Sequence, residues 1–257
     1  MLALGAQAAI AALHLLFGVL ALGVTRSLPA SERVFRYGWA LTAAMFCLRG
    51  VNASLHAIYN IVAFRSGPGS WMWETAGLVH PVMNHSRTFL LTAYCLVLGV
   101  VLVRARRERP LPAPSIAFSL LLAGMAAGAY VGWNEEAFSA LTHYTAVAVL
   151  DIMELLALMG LLFLGLTTSA MDRSLWAALG VNAFVLALSV LWFAALSRID
   201  MAGQWSPRPS HVHLSKSILY LAMIAIAARQ LMRLRAGKRV RSILGADPRR
   251  AVPSLHG

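Results

Sequence analysis

Seven of the eight histidines in this sequence lie within, or at the mouth of, long apolar segments. Imidazole nitrogens are the commonest protein ligands for zinc, copper and iron, and helix-borne histidines also hold haem b in membranes. Counted at about 1.5 Å per residue from the segment ends, all seven fall in one half of the membrane. This one-sidedness predicts a histidine-ligated site that opens toward one face. The seven are His14, His56, His80, His85, His143, His211 and His213.

Two kinds of cofactor fit these histidines. Haem b needs one axial histidine on each of two helices at similar depth, which predicts the pair His56 with His85 and, nearer the surface, His143 with His213. A small metal ion instead needs three or four ligands that converge on one point. The predicted ligands for such an ion are His80, His143, His211 and His213.

Charged residues inside apolar segments are costly, so they are expected to face one another or water. The depth count places Arg49 and Glu154 at roughly 24 Å from the outer face, and Arg87 and Asp151 at roughly 20 Å. Two buried ion pairs are therefore predicted. They could serve as a structural clamp between helices or as a proton path. Lys216, near the start of the last segment, could snorkel, form a pair or carry chemistry.

The elements that must position these groups are membrane helices. The chain has 257 residues, of which 59% are hydrophobic and 12% charged. A soluble domain carries roughly 25% charged residues, so this composition predicts an all-α, polytopic membrane bundle. A span needs about 20 residues, and seven segments are long enough. They cover roughly residues 3–25, 38–64, 73–103, 114–133, 138–168, 174–197 and 209–233.

Basic residues set the predicted orientation. Sixteen arginines and lysines lie at one end of the segments, against three at the other. The positive-inside rule then places the N-terminus outside and the C-terminus in the cytoplasm of a bacterial cytoplasmic membrane. The predicted domains are a seven-helix bundle over 1–235 and a basic cytoplasmic tail over 236–257. The net charge of +12 is explained by this topology and by anionic membrane lipid, without nucleic acid as a partner.

Three short resemblances bear on function. The stretch "SHVHL" resembles the paired-histidine helix of haem-copper oxidases, although the chain is much shorter than those proteins. Lys216 in a seventh helix resembles the retinal lysine of microbial rhodopsins, although the carboxylates that accompany it there are missing. Ser54, His56 and the helix-seven histidines resemble the zinc set of alkaline ceramidases and adiponectin receptors, although the His-x-x-x-His spacing of helix seven is missing.

The leading prediction is an integral membrane redox protein. It would hold haem b or a transition metal (Fe, Cu or Zn) in its outer half and exchange electrons with a quinone or a periplasmic carrier, with or without partner subunits. The first alternative is a zinc-dependent membrane lipid hydrolase, as the ceramidase resemblance implies. The second is a retinal-binding protein that uses Lys216.

Overall fold

The computed structural model describes residues 2–134 and 210–237, and all regular structure in these two ranges is α-helical. The prediction of an all-α fold is confirmed for this part of the chain. Predicted segments 138–168 and 174–197, and the tail from residue 238, lie outside the described residues. The described helices are α1 (Leu2–Ser27), α2 (Arg33–Ser66), α3 (Trp71–Arg106), α4 (Pro114–Trp133) and α5 (Ser210–Arg235).

Three of these helices are long and apolar enough to cross a membrane. The qualifying stretches are Gln7–Ser27 in α1, Trp71–Ala105 in α3 and Pro114–Trp133, which is all of α4. Each meets the length of about 20 residues that a hydrocarbon core of roughly 30 Å requires. Length and composition together therefore indicate a membrane protein.

Helix α2 is long enough to span but is less apolar than these three, and its polar residues explain why. Arg49 and Asn52 are both 2% exposed, whereas Val51, Leu55 and Ile58 on the other side of the helix are exposed. Polar groups therefore face the protein and apolar groups face outward. A helix in lipid is expected to have this inside-out arrangement.

A four-residue connection makes α2 and α3 antiparallel neighbours. Gly67 and Gly69 have φ of 78° and 83°, a region that glycine enters without the steric cost other residues meet. Ser70 then caps α3, because its Oγ accepts a hydrogen bond from the Trp73 backbone N–H at 3.2 Å. The short turn fixes which residues of the two helices face each other.

Helix α1 packs against both α2 and α5. A Cβ added to Gly18 would lie 2.7 Å from the Cys47 Sγ, so the α1 and α2 backbones approach closely there. The Phe17 and Phe46 rings meet edge to face with centroids 4.5 Å apart, and Tyr220 of α5 completes the cluster. Small residues at the crossing and aromatic rings beside it hold these three helices together.

Helices α3 and α4 meet along a glycine stripe, which we define as Gly124, Gly128 and Gly132. A Cβ at Gly124 would lie 2.9 Å from the Phe89 carbonyl oxygen, and one at Gly132 would lie 2.6 Å from that of Pro81. A Cβ at Gly128 would overlap the His85 carbonyl. The spacing of four on α4 thus matches successive carbonyls four apart on α3. Such small-residue packing lets membrane helices gain van der Waals contact without a hydrophobic driving force.

Candidate metal centre

Two histidines from different helices meet in the part of the α2–α3 interface that lies toward the turn between these helices. The Nε2 of His56 on α2 lies 2.9 Å from the Nδ1 of His80 on α3, and the ring centroids are 4.8 Å apart. One of these nitrogens donates the hydrogen bond and the other accepts it. We call His56 and His80 the histidine pair. Both side chains are half-buried, so the pair is sheltered between the helices but can be reached by small ions.

The helix ends explain why these two residues meet. His56 lies ten residues before the end of α2 at Ser66, and His80 lies nine residues after the start of α3 at Trp71. The antiparallel turn therefore brings them to the same level. The α2–α3 turn thus decides which histidines can share a ligand.

His85 occupies a different side of α3. Residues five apart on a helix point about 140° apart, so a helix that presents His80 to α2 directs His85 elsewhere. His85 is 5% exposed, and its carbonyl oxygen lies against Gly128 of α4. The structure thus brings His56 together with His80. The axial pairing of His56 with His85 stays a prediction.

Other polar contacts continue the α2–α3 interface on both sides of the histidine pair. Toward the α2–α3 turn, the Tyr59 hydroxyl donates to the Met72 carbonyl at 3.1 Å. Away from the turn, the Asn52 amide donates to the Met83 Sδ at 3.4 Å. The interface therefore positions the histidine pair through hydrogen bonds above and below it, which restrict both helices to one rotation.

A second buried contact, the hydroxyl pair of Thr42 and Tyr94, lies two heptads from the histidine pair, on the side away from the α2–α3 turn. The Thr42 Oγ1 and the Tyr94 hydroxyl oxygen are 2.8 Å apart. Because Thr42 already donates to the Gly38 carbonyl at 2.8 Å, Tyr94 is the donor in this pair. The sequence analysis did not find this pair. The sequence nevertheless contained an indication of it. Thr42 precedes His56 by two heptads on α2, and Tyr94 follows His80 by the same two heptads on the antiparallel α3.

Substitutions in the hydroxyl pair should have unequal costs. Tyr94→Phe removes one donor and leaves Thr42 bonded to its own helix, so the loss should be about 1 kcal/mol. Thr42→Val leaves the Tyr94 hydroxyl buried without its acceptor, so the loss should reach about 1–3 kcal/mol. Unfolding of both variants and the double variant in detergent would measure this. Equal losses in the two single variants would contradict the assigned donor direction.

The arginines predicted to form ion pairs lie on the same two helices. Arg49 is buried on α2, and Arg87 is half-buried on α3. Their predicted partners, Glu154 and Asp151, lie outside the described residues, so both ion pairs remain predictions.

His14 is placed away from the histidine pair, among aromatic rings. It is 1% exposed and packs edge to face on Tyr220, with ring centroids 4.4 Å apart. The Phe46 ring lies 5.8 Å from it. His14 thus joins α1 to α5 in the apolar interior, and nothing in its described surroundings makes it a ligand of the same centre.

The remaining predicted site residues lie in the first turns of α5 and in the segment before it. His143 lies outside the described residues. His211, His213 and Lys216 fall in the first two turns of α5, and their side chains are not among those described. Within ranges 2–134 and 210–237, no group of three or more histidine, cysteine or acidic side chains could hold a metal ion. The described part of the chain therefore supplies two ligands at most at one point.

No family model, curated protein or solved structure matches this chain.

Proposed function

We propose that this protein is an integral membrane redox protein that binds a transition metal between α2 and α3 and exchanges electrons with a quinone or an external carrier. The observation that supports this proposal is the histidine pair, in which two imidazole nitrogens from different helices point at each other across 2.9 Å. A metal ion would replace the hydrogen bond and use both nitrogens as ligands.

The separation of the two nitrogens favours a metal ion over haem b at this pair. Two imidazoles bound tetrahedrally at about 2.0–2.1 Å would have their nitrogens about 3.3 Å apart. The observed 2.9 Å needs to open by only a few tenths of an ångström. Axial haem ligands lie on opposite sides of the iron, about 4 Å apart, with the macrocycle between the rings. That arrangement requires a much larger opening of the α2–α3 interface.

The histidine pair provides half of a four-ligand set, so other ligands must come from elsewhere in the chain. We propose the histidines that the sequence analysis assigned to the same outer level. Imidazole side chains from α2, α3 and one or two further helices would then surround the ion. These further ligands are His143 and either His211 or His213, because residues two apart on α5 point about 200° apart and cannot both face one ion.

The geometry gives less support to the zinc hydrolase alternative. The resemblance to alkaline ceramidases and adiponectin receptors implies a serine near the metal, and Ser54 is the residue to which it assigns this role. Its Oγ donates to the Gly50 carbonyl of its own helix at 2.8 Å. Residues two apart on a helix point about 200° apart, so Ser54 does not share a face with His56. The retinal alternative rests on Lys216 and stays a prediction.

A pigment spectrum and metal analysis of one purified sample would test the proposal. Bound copper or iron with a spectrum that changes on reduction is the expected result, because the imidazole set suits both metals. A Soret band would instead assign haem b to other histidines. A colourless sample loaded with zinc would favour the hydrolase, and a sample without metal or pigment would contradict both metal-based proposals.

We further propose seven spans with the N-terminus outside, in a bacterial cytoplasmic membrane. The ends of the described helices support this orientation. Arginines collect at the end of α1, the start of α2 and the ends of α3 and α5, while exposed tryptophans lie at the opposite ends of α3 and α4. Basic residues favour the cytoplasmic side, and tryptophans favour interfaces. The arginines are Arg26, Arg33, Arg36, Arg104, Arg229 and Arg233, and the tryptophans are Trp71, Trp73 and Trp133.

Reporter fusions should reproduce this orientation. Fusions after Arg109 and after Arg235 are expected to report from the cytoplasm, because the arginines beside them resist translocation. A fusion at Asn134 is expected to report from the outside. Alkaline phosphatase and green fluorescent protein, which work on opposite sides of the membrane, would measure the three positions. An external signal after Arg235 would invert every depth assigned to the histidines.

A further inference from the structure

Two arginines lie in one layer of the α2–α3 interface, between the hydroxyl pair and the histidine pair. On α2, Arg49 lies seven residues from both Thr42 and His56. On α3, Arg87 lies seven residues from both His80 and Tyr94. Seven residues are close to two helical turns, so the side chains drift by only about 20° per step. Since both flanking pairs are in hydrogen-bond contact, Arg49 and Arg87 face the same level between them. We call them the arginine layer.

The arginine layer lies at the middle of both helices. Arg49 is at the midpoint of α2 and Arg87 is within two residues of the midpoint of α3. Arg49 is also 2% exposed. A guanidinium stays protonated in proteins, so Arg49 carries a buried charge and the half-buried Arg87 carries a second charge at the same level. Ionisable residues at this depth are expensive and mark a functional site with an opposite charge close by.

One anionic group can satisfy both members. Two like charges in one layer repel each other, and a negative charge between them removes that repulsion. The planar guanidinium matches a carboxylate through two parallel hydrogen bonds. Within the described ranges, the acidic residues are Glu32, Glu74 and Glu108, and all three lie at or beyond helix ends. The carboxylate therefore comes from outside these ranges.

We propose that the arginine layer is a carboxylate-binding site in the middle of the membrane, where Arg49 and Arg87 act together on the same carboxylate partners instead of each holding its own. Two sources have this chemistry. One is the chain itself, through Asp151 and Glu154. The other is a lipophilic acid, such as a fatty acid, that enters between the helices. In both cases the same negative charge interacts with both guanidinium groups.

Crossed double substitutions test whether the charge is shared. Arg49→Gln and Arg87→Gln are each combined with Asp151→Asn and with Glu154→Gln, and melting temperature is measured in detergent. If the chain's own acids fill a shared layer, either acid substitution should restore about half or more of the loss caused by either arginine substitution. Where a single arginine variant yields no folded protein, the yield of monodisperse double variant becomes the measurement. The exposed Arg65 provides the control, since Arg65→Gln should change neither quantity.

The lipid source gives a different result. The acid substitutions should then rescue neither arginine variant, while added laurate should raise the melting temperature of the wild type and should lose that effect in both Arg49→Gln and Arg87→Gln. The proposal is overturned if each arginine is rescued by one acid alone, which would show two separate ion pairs. It is also overturned if neither acid substitution nor laurate has an effect. The metal site provides no readout here, because the layer lies about 10 Å from the histidine pair.

Discussion

Replacing either histidine of the pair with alanine should abolish metal binding while the protein still inserts into the membrane. Coordination is lost outright when one of two converging imidazoles is removed. Two polar groups that flank the pair along the interface are already engaged, since Asn52 donates to Met83 and Tyr59 donates to the Met72 carbonyl. The stability loss should be small, about 1 kcal/mol, because a single hydrogen bond between the rings disappears with the histidine. Metal content per protein, measured on monodisperse samples of His56→Ala and His80→Ala, checks the result.

His85 and His256 serve as controls for this experiment. His85 shares α3 with His80 but is buried on another side, so His85→Ala should keep the metal. His256 is in the tail, and its replacement should change nothing. His80→Cys should retain part of the binding, since a thiolate can also ligate copper or zinc. Loss of the cofactor in His85→Ala, with retention in His80→Ala, would restore the axial pairing of His56 with His85 and would contradict the site proposed between α2 and α3.

Within the described ranges, the sequence could predict which segments are helical but not which histidines meet. α4 has the predicted bounds, whereas α2 ends two residues later and α3 begins two residues earlier than predicted. At 1.5 Å per residue, such errors change an estimated depth by about 3 Å, which is enough to exchange one partner histidine for another. Rotation about the helix axis adds a second uncertainty, because His80 and His85 differ by about 140°. Depth counting contains no information about that angle.

The register between α2 and α3 was nevertheless present in the sequence, as a heptad spacing of polar residues that depth counting does not use. Thr42, Arg49 and His56 follow one heptad spacing on α2, and His80, Arg87 and Tyr94 follow the same spacing on α3. A turn as short as that between Ser66 and Trp71 requires antiparallel neighbours, so the two series must pair in reverse order. The glycine spacing of four in α4 was a similar signal, since small residues four apart indicate a close helix crossing in membranes. The sequence analysis used only polar residues and therefore did not predict the helix crossing at the glycine stripe.

Substitution in the glycine stripe should damage the metal centre without touching a ligand. A Cβ at Gly132 would press on the backbone of Pro81 and Val82, the two residues that follow His80, with atoms only 2.6 Å away. Backbone cannot rotate aside as a side chain does, so α3 and α4 must separate. Overpacking of this kind costs about 1–3 kcal/mol. The shift also carries His80 relative to α2, so Gly132→Ala should weaken metal binding as well as stability.

The three glycines predict a graded response that separates positioning from simple destabilisation. Gly128→Ala meets the His85 carbonyl, and Gly124→Ala meets that of Phe89, so both should destabilise the protein as Gly132→Ala does. Their contacts lie about one and two turns further from His80, however, and metal affinity should recover in the order 132, 128, 124 while the stability loss stays similar. Gly99 supplies the matched control on α3, because a Cβ there meets nothing within 4 Å. Melting temperature and metal affinity, measured on the same four variants, check both quantities. Metal affinity that falls in proportion to stability at all three positions would show that the glycine stripe holds the bundle together but does not position His80.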